Sequence, residues 1–283
     1  MAAFYNQATL RLGDVTVESN VVTGEIVSEL NAYKSAVNET YQQGSVITYT
    51  VSLVNAGAGA YADLTLTDDL GAYTLVSGLT VTPLTYVEGT LQYYVNGILQ
   101  PAPQIAAESP LTITGVDVPA NGNALLLYQA VTNEYAPLSA GSTIENTITD
   151  TGARITEDIT ASAVISSQTG PIVSIAKAVN PATVTENGQV TYIFDLENTG
   201  IAAVEDGAVL TDQFSPILTD LQVIYNGTVW TEGTQYTYDA VTGLFTTQDG
   251  QITIPAGTVS QDPDTGVWTV TPGTSRLVIT GTV

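Results

Sequence analysis

The chain contains the same unit twice. GSVITYTVSLVNAG (Gly44 to Gly57) matches GQVTYIFDLENTG (Gly188 to Gly200), with Tyr49 and Tyr192, Asn55 and Asn198, and Gly57 and Gly200 each 143 residues apart. A repeat of that length in 283 residues implies two units of ordinary domain size, each able to bury its own core. Both segments alternate apolar and polar residues and end in Asn-x-Gly turn chemistry, which predicts β-strands. Tyr (15) far outnumbers Phe (4), and Thr and Val recur throughout, the usage of half-buried sheet. Little helix is expected.

The order of matches continues downstream. LTLTDDL (Leu64 to Leu70) pairs with AVLTDQF (Ala208 to Phe214), and VEGTLQYYVNG (Val87 to Gly97) with TEGTQYTYDAVTG (Thr231 to Gly243). ALLLYQAV (Ala124 to Val131) then pairs with RLVITGTV (Arg276 to Val283). Repeat one runs on through STIENTITDTG and ITASAVIS, an alternating strand pair without a counterpart in repeat two. The N-terminal NQATLRLGDVTVESNVVTGEI resembles that pair, with Asn6-Gln7-Ala8-Thr9 set against Asn146-Thr147-Ile148-Thr149. The expected organisation is a donor hairpin (1–28), a complete repeat (29–168) and an incomplete acceptor repeat (169–283). Matching Asn6 to Asn146 requires three extra residues in repeat one, whereas the ungapped register aligns Arg11 with Arg154 instead.

Charge and missing residue types exclude several functions. Five Lys+Arg against 28 Asp+Glu give a formal charge of −23, so a groove for phosphates, and with it nucleic acid, is excluded. There is no Cys and no His, which removes disulfides, thiolate metal sites and most nucleophile or general-base schemes. No cofactor is expected, and no pair of acids marks a glycosidase cleft. No run approaches the ~20 apolar residues of a membrane span. MAAFYNQATL lacks the basic-then-apolar order of a secretory signal, so either export by another route, such as release around a spore, or prior removal of a leader is expected.

SIAKAVNPATVTENGQVTYIFDLENTG (Ser174 to Gly200), followed by LTD (Leu210 to Asp212), and in repeat one by IENTIT (Ile144 to Thr149), resembles the conserved repeat domain of Gram-positive surface proteins. It is also similar to related fimbrial domains that form internal isopeptide bonds. The resemblance covers both repeats and implies an all-β chain of two tandem immunoglobulin-like β-sandwich domains, the second lacking its closing strands. It implies a stalk, pilus-like or wall protein, and the two-repeat size is similar to subunits of surface fibres or spore appendages.

The only lysines, Lys34 and Lys177, lie 143 apart (177 − 34 = 143). In a strand Lys34 shares a face with Leu30, Ala32 and Ala36, and Lys177 with Val173, Ile175 and Val179. Asp68 falls on the face of Leu64, Leu66 and Leu70; Asp212 on that of Ala208, Leu210 and Phe214. Asn146 lies beside Ile144 and Ile148, and Asn6 beside Ala8, Leu10 and Leu12. Buried ionic groups must meet one another or turn neutral. In one reading they react: desolvation yields a neutral amine beside a protonated acid, and a Lys34–Asn146 isopeptide bond forms with help from Asp68. Lys177 and Asp212 would then take Asn6 of the next subunit. In the other, the lysines end in water, Asp68 and Asp212 serve turns, and the asparagines bond backbone.

A sandwich without its last hairpin exposes a sheet edge, and a donor strand carrying Asn6, Ala8, Leu10 and Leu12 fits it. Donor and acceptor lie at opposite ends of the chain, so the expected function is a head-to-tail homopolymer, a structural filament. The alternative is an adhesin or carbohydrate-binding stalk module with Trp230, Trp268 and tyrosines as a stacking platform, although their apolar neighbours favour core packing. Asp262 and Asp264 in QDPDTGVW are weak candidates for calcium, with a turn the preferred reading.

Overall fold

The computed structural model describes residues 2–26 and 29–283. Met1 and residues 27–28, which the sequence assigns to the donor hairpin and its connection, lie outside the described residues. The described chain is all strand, with no helix and hence no helix able to cross a membrane. β1 (Ala2–Asn6), β2 (Thr9–Leu12), β3 (Val15–Glu18) and β4 (Val22–Ile26) form an N-terminal hairpin, β1 against β4 and β2 against β3. The run from Asn6 to Leu12, read as one strand, is two. Between β1 and β2 the pairing slips by one residue, because Ala8 exchanges backbone and side-chain bonds with Ser19.

The first sandwich comprises β5 (Leu30–Ala36), β6 (Thr40–Tyr41), β7 (Val46–Asn55), β8 (Tyr61–Asp68), β9 (Tyr73–Thr74), β10 (Thr80–Val81), β11 (Leu84–Tyr86), β12 (Gln92–Val95), β13 (Ile98–Gln100), β14 (Gln104–Glu108), β15 (Leu111–Val118), β16 (Gly122–Thr132), β17 (Thr143–Thr151) and β18 (Ile159–Ser167). One six-stranded sheet runs β13-β12-β16-β7-β5 with β11 on β16, the other β14-β15-β8-β17-β18-β6. Alternation along β7 and β16 turns Ile47, Tyr49, Val51 and Leu53, and Ala124, Leu126, Tyr128 and Ala130, inward onto one core.

The second sandwich comprises β19 (Val173–Asn180), β20 (Gln189–Asn198), β21 (Thr211–Gln213), β22 (Thr219–Tyr225), β23 (Thr228–Trp230), β24 (Tyr236–Asp239), β25 (Leu244–Thr247), β26 (Thr258–Gln261), β27 (Trp268–Thr271) and β28 (Gly273–Thr282). Its sheets are β19-β20-β28-β22-β23 and β21-β25-β24, over a separate core that includes Phe194, Phe214, Val223, Phe245, Leu277 and Ile279. β21 pairs only with β25, whereas β8 pairs with both β15 and β17. Counterparts of β17 and β18 are the strands missing from this half.

Ladder registers correct two sequence matches. Ala124 faces Leu53, and Ser275 faces Leu196, so β28 sits one residue away from the alignment of Ala124 with Arg276. Alternation alone did not fix that register, because both choices carry apolar residues. Val87 to Gly97 and Thr231 to Gly243 also part company: β12 pairs with β16, but β24 pairs with β25 in the opposite sheet. The shared Glu-Gly-Thr and tyrosines reflect turn and strand composition. By pairing, Tyr93 corresponds to Tyr225, opposite Leu126 and Leu277 respectively. Each phenol bridges the N–H and C=O of one residue across the core, Asp117 and Thr253 respectively.

The Asn-x-Gly motif ties loops in both halves. Buried Asn55 donates to the carbonyls of Gly59 and Pro119 (2.9 and 2.8 Å), and Asn198 to those of Ala202 and Pro255 (2.8 and 3.1 Å). Gly200 is needed for close approach, since a Cβ there would lie 2.3 Å from the Gly170 carbonyl oxygen. The β26–β27 hairpin reaches from the second sandwich onto the first. Val259, Trp268 and Val270 pack on its core, Trp268 N donates to Glu134 O (2.7 Å), and Gln261 donates to the Tyr73 hydroxyl (3.0 Å).

Candidate functional site

In repeat one Lys34 and Asp68 meet inside the core, and buried Asn146 lies near the tyrosines that flank them. Edge strand β5 carries Lys34, the end of β8 carries Asp68, and β17 carries Asn146. Lys34 Nζ lies 2.6 Å from Asp68 Oδ2, with side-chain exposures of 0% and 2%. Asp68 Oδ2 also accepts a short hydrogen bond from the Tyr128 hydroxyl, and Oδ1 accepts from Leu70 N at 2.9 Å. The Tyr49 ring lies 5.2 Å from Nζ and stacks on Tyr128 at 5.6 Å. Burial pushes the Lys34 ammonium below its ordinary pKa, against the opposing pull of Asp68, and drives the Tyr128 phenol well up.

Asn146 is fully buried, yet neither amide atom has a hydrogen-bond partner, and the Tyr49 hydroxyl has none either. Asn146 is close enough to oppose the upward pKa shifts of both Tyr49 and Tyr128, although its atoms fall outside hydrogen-bonding geometry. The expectation that asparagine bonds backbone therefore fails at Asn146. The expectation that the lysine ends in water fails at Lys34. Asp68 does serve its turn through Leu70, as well as meeting Lys34.

Repeat two holds the same ion pair without its cover. Lys177 Nζ is 2.5 Å from Asp212 Oδ2, with side-chain exposures of 41% and 15%. Three rings surround the ammonium: Tyr192 at 4.8 Å, Phe194 at 5.4 Å and Phe214 at 5.6 Å. Every residue of β19 is exposed, Val173, Ile175 and Val179 included. Ile279, opposite Tyr192, takes the position of Tyr128, opposite Tyr49. Lys177 thus lies on an apolar face, as its neighbours predict, but that face is bare.

Asn6 is not brought to Lys177. It is exposed in the hairpin, where it pairs with Val22. Its place there is informative: Asn6 and its partner are sixteen residues apart, and Asn146 and its partner Ala163 seventeen. Thr149, the ungapped equivalent of Asn6, faces a partner only eleven residues away, Thr160. Measured from the turn, Asn6 stands with Asn146. Leu10 pairs with Val17 and Leu12 with Val15, and all four are exposed, Leu12 most of all at 81%. Ala8 is exposed in the break between β1 and β2.

Several residues escaped the sequence reading. Tyr49 and Tyr192 carried a signal as matched repeat positions; Tyr128 became visible only through the ladder. Asp150, on the inward face of β17, is fully buried with both oxygens unpartnered, and burial raises its pKa to about 7. Asp262 caps its own turn, accepting from Asp264 N and Thr265 N at 2.9 Å each. No cluster of metal-ligating type, Asp262 and Asp264 included, occurs among the described residues. Trp230 packs at a tilt against Tyr225, 4.8 Å away, in the second core, and Trp268 packs on the first, so neither presents a stacking platform.

No protein-family model and no curated protein matches the chain. Among solved structures it is similar to the pilus backbone protein of Streptococcus pneumoniae, at 13% identity over 87% of this chain and 55% of that one, TM-score 0.36. It is similar to the major pilin subunit of Bacillus cereus at 14% identity, over 96% of this chain and 73% of that one, TM-score 0.36. A family 123 glycoside hydrolase from Clostridium perfringens matches at 11% identity over 50% of this chain, which spans only 27% of that one, TM-score 0.33. Scores at this level assign no role.

Proposed function

We propose that this protein is the structural subunit of an extracellular or spore-surface filament, joined head to tail by insertion of the N-terminal hairpin of one copy into the second sandwich of the next. One observation carries the reading. The face of β5 that bears Lys34 is covered in repeat one by the β17–β18 hairpin, while the equivalent face of β19 is bare and the same chain holds an exposed hairpin whose pairing span differs by one residue. A preformed hairpin has little entropy left to lose on docking. Burying Leu10, Leu12, Val15 and Val17 would contribute on the order of 10 kcal/mol at most.

The poles of the first sandwich favour a second copy as donor. β5 begins beside Asn55, at one end of β7, while the chain leaves for repeat two beside Tyr41, at the other. β7 is about 30 Å long. A hairpin tethered at the first pole must pass the whole sandwich to reach its own β19. The contact between copies is therefore heterologous, and one that does not close on itself yields an open filament.

Covalent bonds lock the assembly in this reading. Proton transfer from the Lys34 ammonium to Asp68 frees the amine, whose Nζ attacks Cγ of Asn146 and forms the new C–N bond. The bond to Nδ2 then breaks as Asp68 gives its proton to the departing nitrogen and takes up the second proton that Nζ sheds in becoming the amide, so that neutral ammonia leaves. Lys177, Asp212 and the incoming Asn6 do the same between subunits. Electron microscopy of the purified chain tests the assembly: filaments are expected, and filaments from a chain lacking residues 2–20 would rule out the donor hairpin. Intact mass tests the chemistry, with the loss of one ammonia expected in repeat one. Clear binding of the monomer to a glycan array, without filaments, would favour the adhesin instead.

A further inference from the structure

The bond-forming step leaves one charge without a partner, the oxyanion that develops on Asn146 Oδ1 as Nζ adds to Cγ. We infer that the Tyr49 hydroxyl is the oxyanion donor, and that Tyr192 plays the same part for Asn6 at the joint between subunits. This rests on the bond-forming reading above.

Besides the Asp150 carboxyl, the described core leaves three buried side-chain polar atoms without partners, the Tyr49 hydroxyl and both amide atoms of Asn146, and Asn146 lies close enough to Tyr49 to act on its phenol. Buried polar atoms without partners are unfavourable in the resting state. A hydroxyl that gains its hydrogen bond only as charge develops stabilises the transition state more than the ground state. The Tyr128 hydroxyl is already committed to Asp68, which leaves Tyr49 as the free phenol near Asn146. The Tyr49 ring also lies against the Lys34 ammonium, so the attacking nitrogen and Asn146 both neighbour the same phenol. Burial pushes the Tyr49 phenol upward, so it keeps its proton where a neutral amine exists.

Repeat two separates the two phenols. It has Ile279 at the position of Tyr128 but retains a tyrosine, Tyr192, at that of Tyr49, with its ring 4.8 Å from Lys177 Nζ. A phenylalanine at Tyr49 would fill the core without leaving an orphaned hydroxyl. The retained oxygen is the one positioned for the carboxamide.

The test follows ammonia loss by time-resolved intact mass during cell-free synthesis of the full chain. Tyr49→Phe is expected to slow the loss about 10²-fold, with the melting temperature before bond formation little changed. Loss at the wild-type rate would overturn the inference. Wild-type protein that never loses ammonia would overturn the bond itself, a different result. Should Tyr49→Phe fail to fold, Tyr192→Phe decides, because Tyr192 is only partly buried. Filaments should still form, with detergent-resistant oligomers delayed by a similar factor; oligomers at the wild-type rate would sink the proposal.

Discussion

Lys34 and Lys177 occupy one position in two copies of one unit, each in a short ion pair with an aspartate, yet one ammonium is sealed and the other is two-fifths exposed. The difference does not arise in the strands that carry the lysines, because β5 and β19 pair alike with β7 and β20. It arises in a detachable piece, the hairpin laid across the lysine's face. Under the proposed function, desolvation of the amine, and with it reactivity, would be set by which chain supplies that hairpin. Repeat one owns its cover. Repeat two has none of its own, and in the proposed assembly an isolated subunit would stay inert at the joint until a neighbour docks.

The largest effect expected from breaking this contrast is at the sealed site. Lys34→Ala strands a buried carboxylate and should cost about 3–5 kcal/mol in denaturant unfolding of repeat one. Asp150→Asn sharpens the contrast through pH. The native Asp150 carboxyl holds its proton to about 7, against an ordinary 3.8, so it makes repeat one less stable as pH rises from 3.8 to 7, and the loss then levels off. Melting curves across that window should show a loss of about 2–4 kcal/mol that the variant lacks. The donor hairpin has Leu10 four residues after Asn6, where repeat one has Asp150 four after Asn146, so the joint should not share this sensitivity.

Trp268→Ala removes one of the contacts, beside Val259, Val270 and Gln261, by which the second sandwich grips the first. A loss of about 1–2 kcal/mol is expected, with the two repeats melting as separate transitions by calorimetry. Lys177→Ala should change monomer stability by less than about 1 kcal/mol, since that ion pair is partly exposed, while abolishing detergent-resistant oligomers on a denaturing gel. Comparable losses for the two lysine variants would erase the distinction between sealed and open sites.

Much of this was legible because the repeat allowed each residue to be read twice. A single buried lysine is ambiguous; two at one spacing, each with an aspartate on an apolar face, placed Lys34, Asp68, Lys177 and Asp212 before any coordinates. Registers were less visible. Alternation has period two and tolerates slips, so β28 was displaced by one residue and the Glu-Gly-Thr segments were matched across opposite sheets. The phenols were hidden for another reason: an inward tyrosine in a strand looks like core, and only the ladder that sets Tyr128 opposite Tyr49, and Ile279 opposite Tyr192, separates one bonded hydroxyl from one without a partner. Asp150 was missed because it follows Asn146 at four residues rather than standing beside a cation.

The β26–β27 hairpin bears on mechanics. It ties the two sandwiches together through Trp268, Gln261 and Tyr73, a contact that would stiffen each subunit of the proposed filament. In a head-to-tail row of such subunits, bending and twisting compliance would collect at the docked hairpins. The row would flex like a jointed chain of rigid links rather than a uniformly elastic cord, and tension would be felt first where one molecule enters the next.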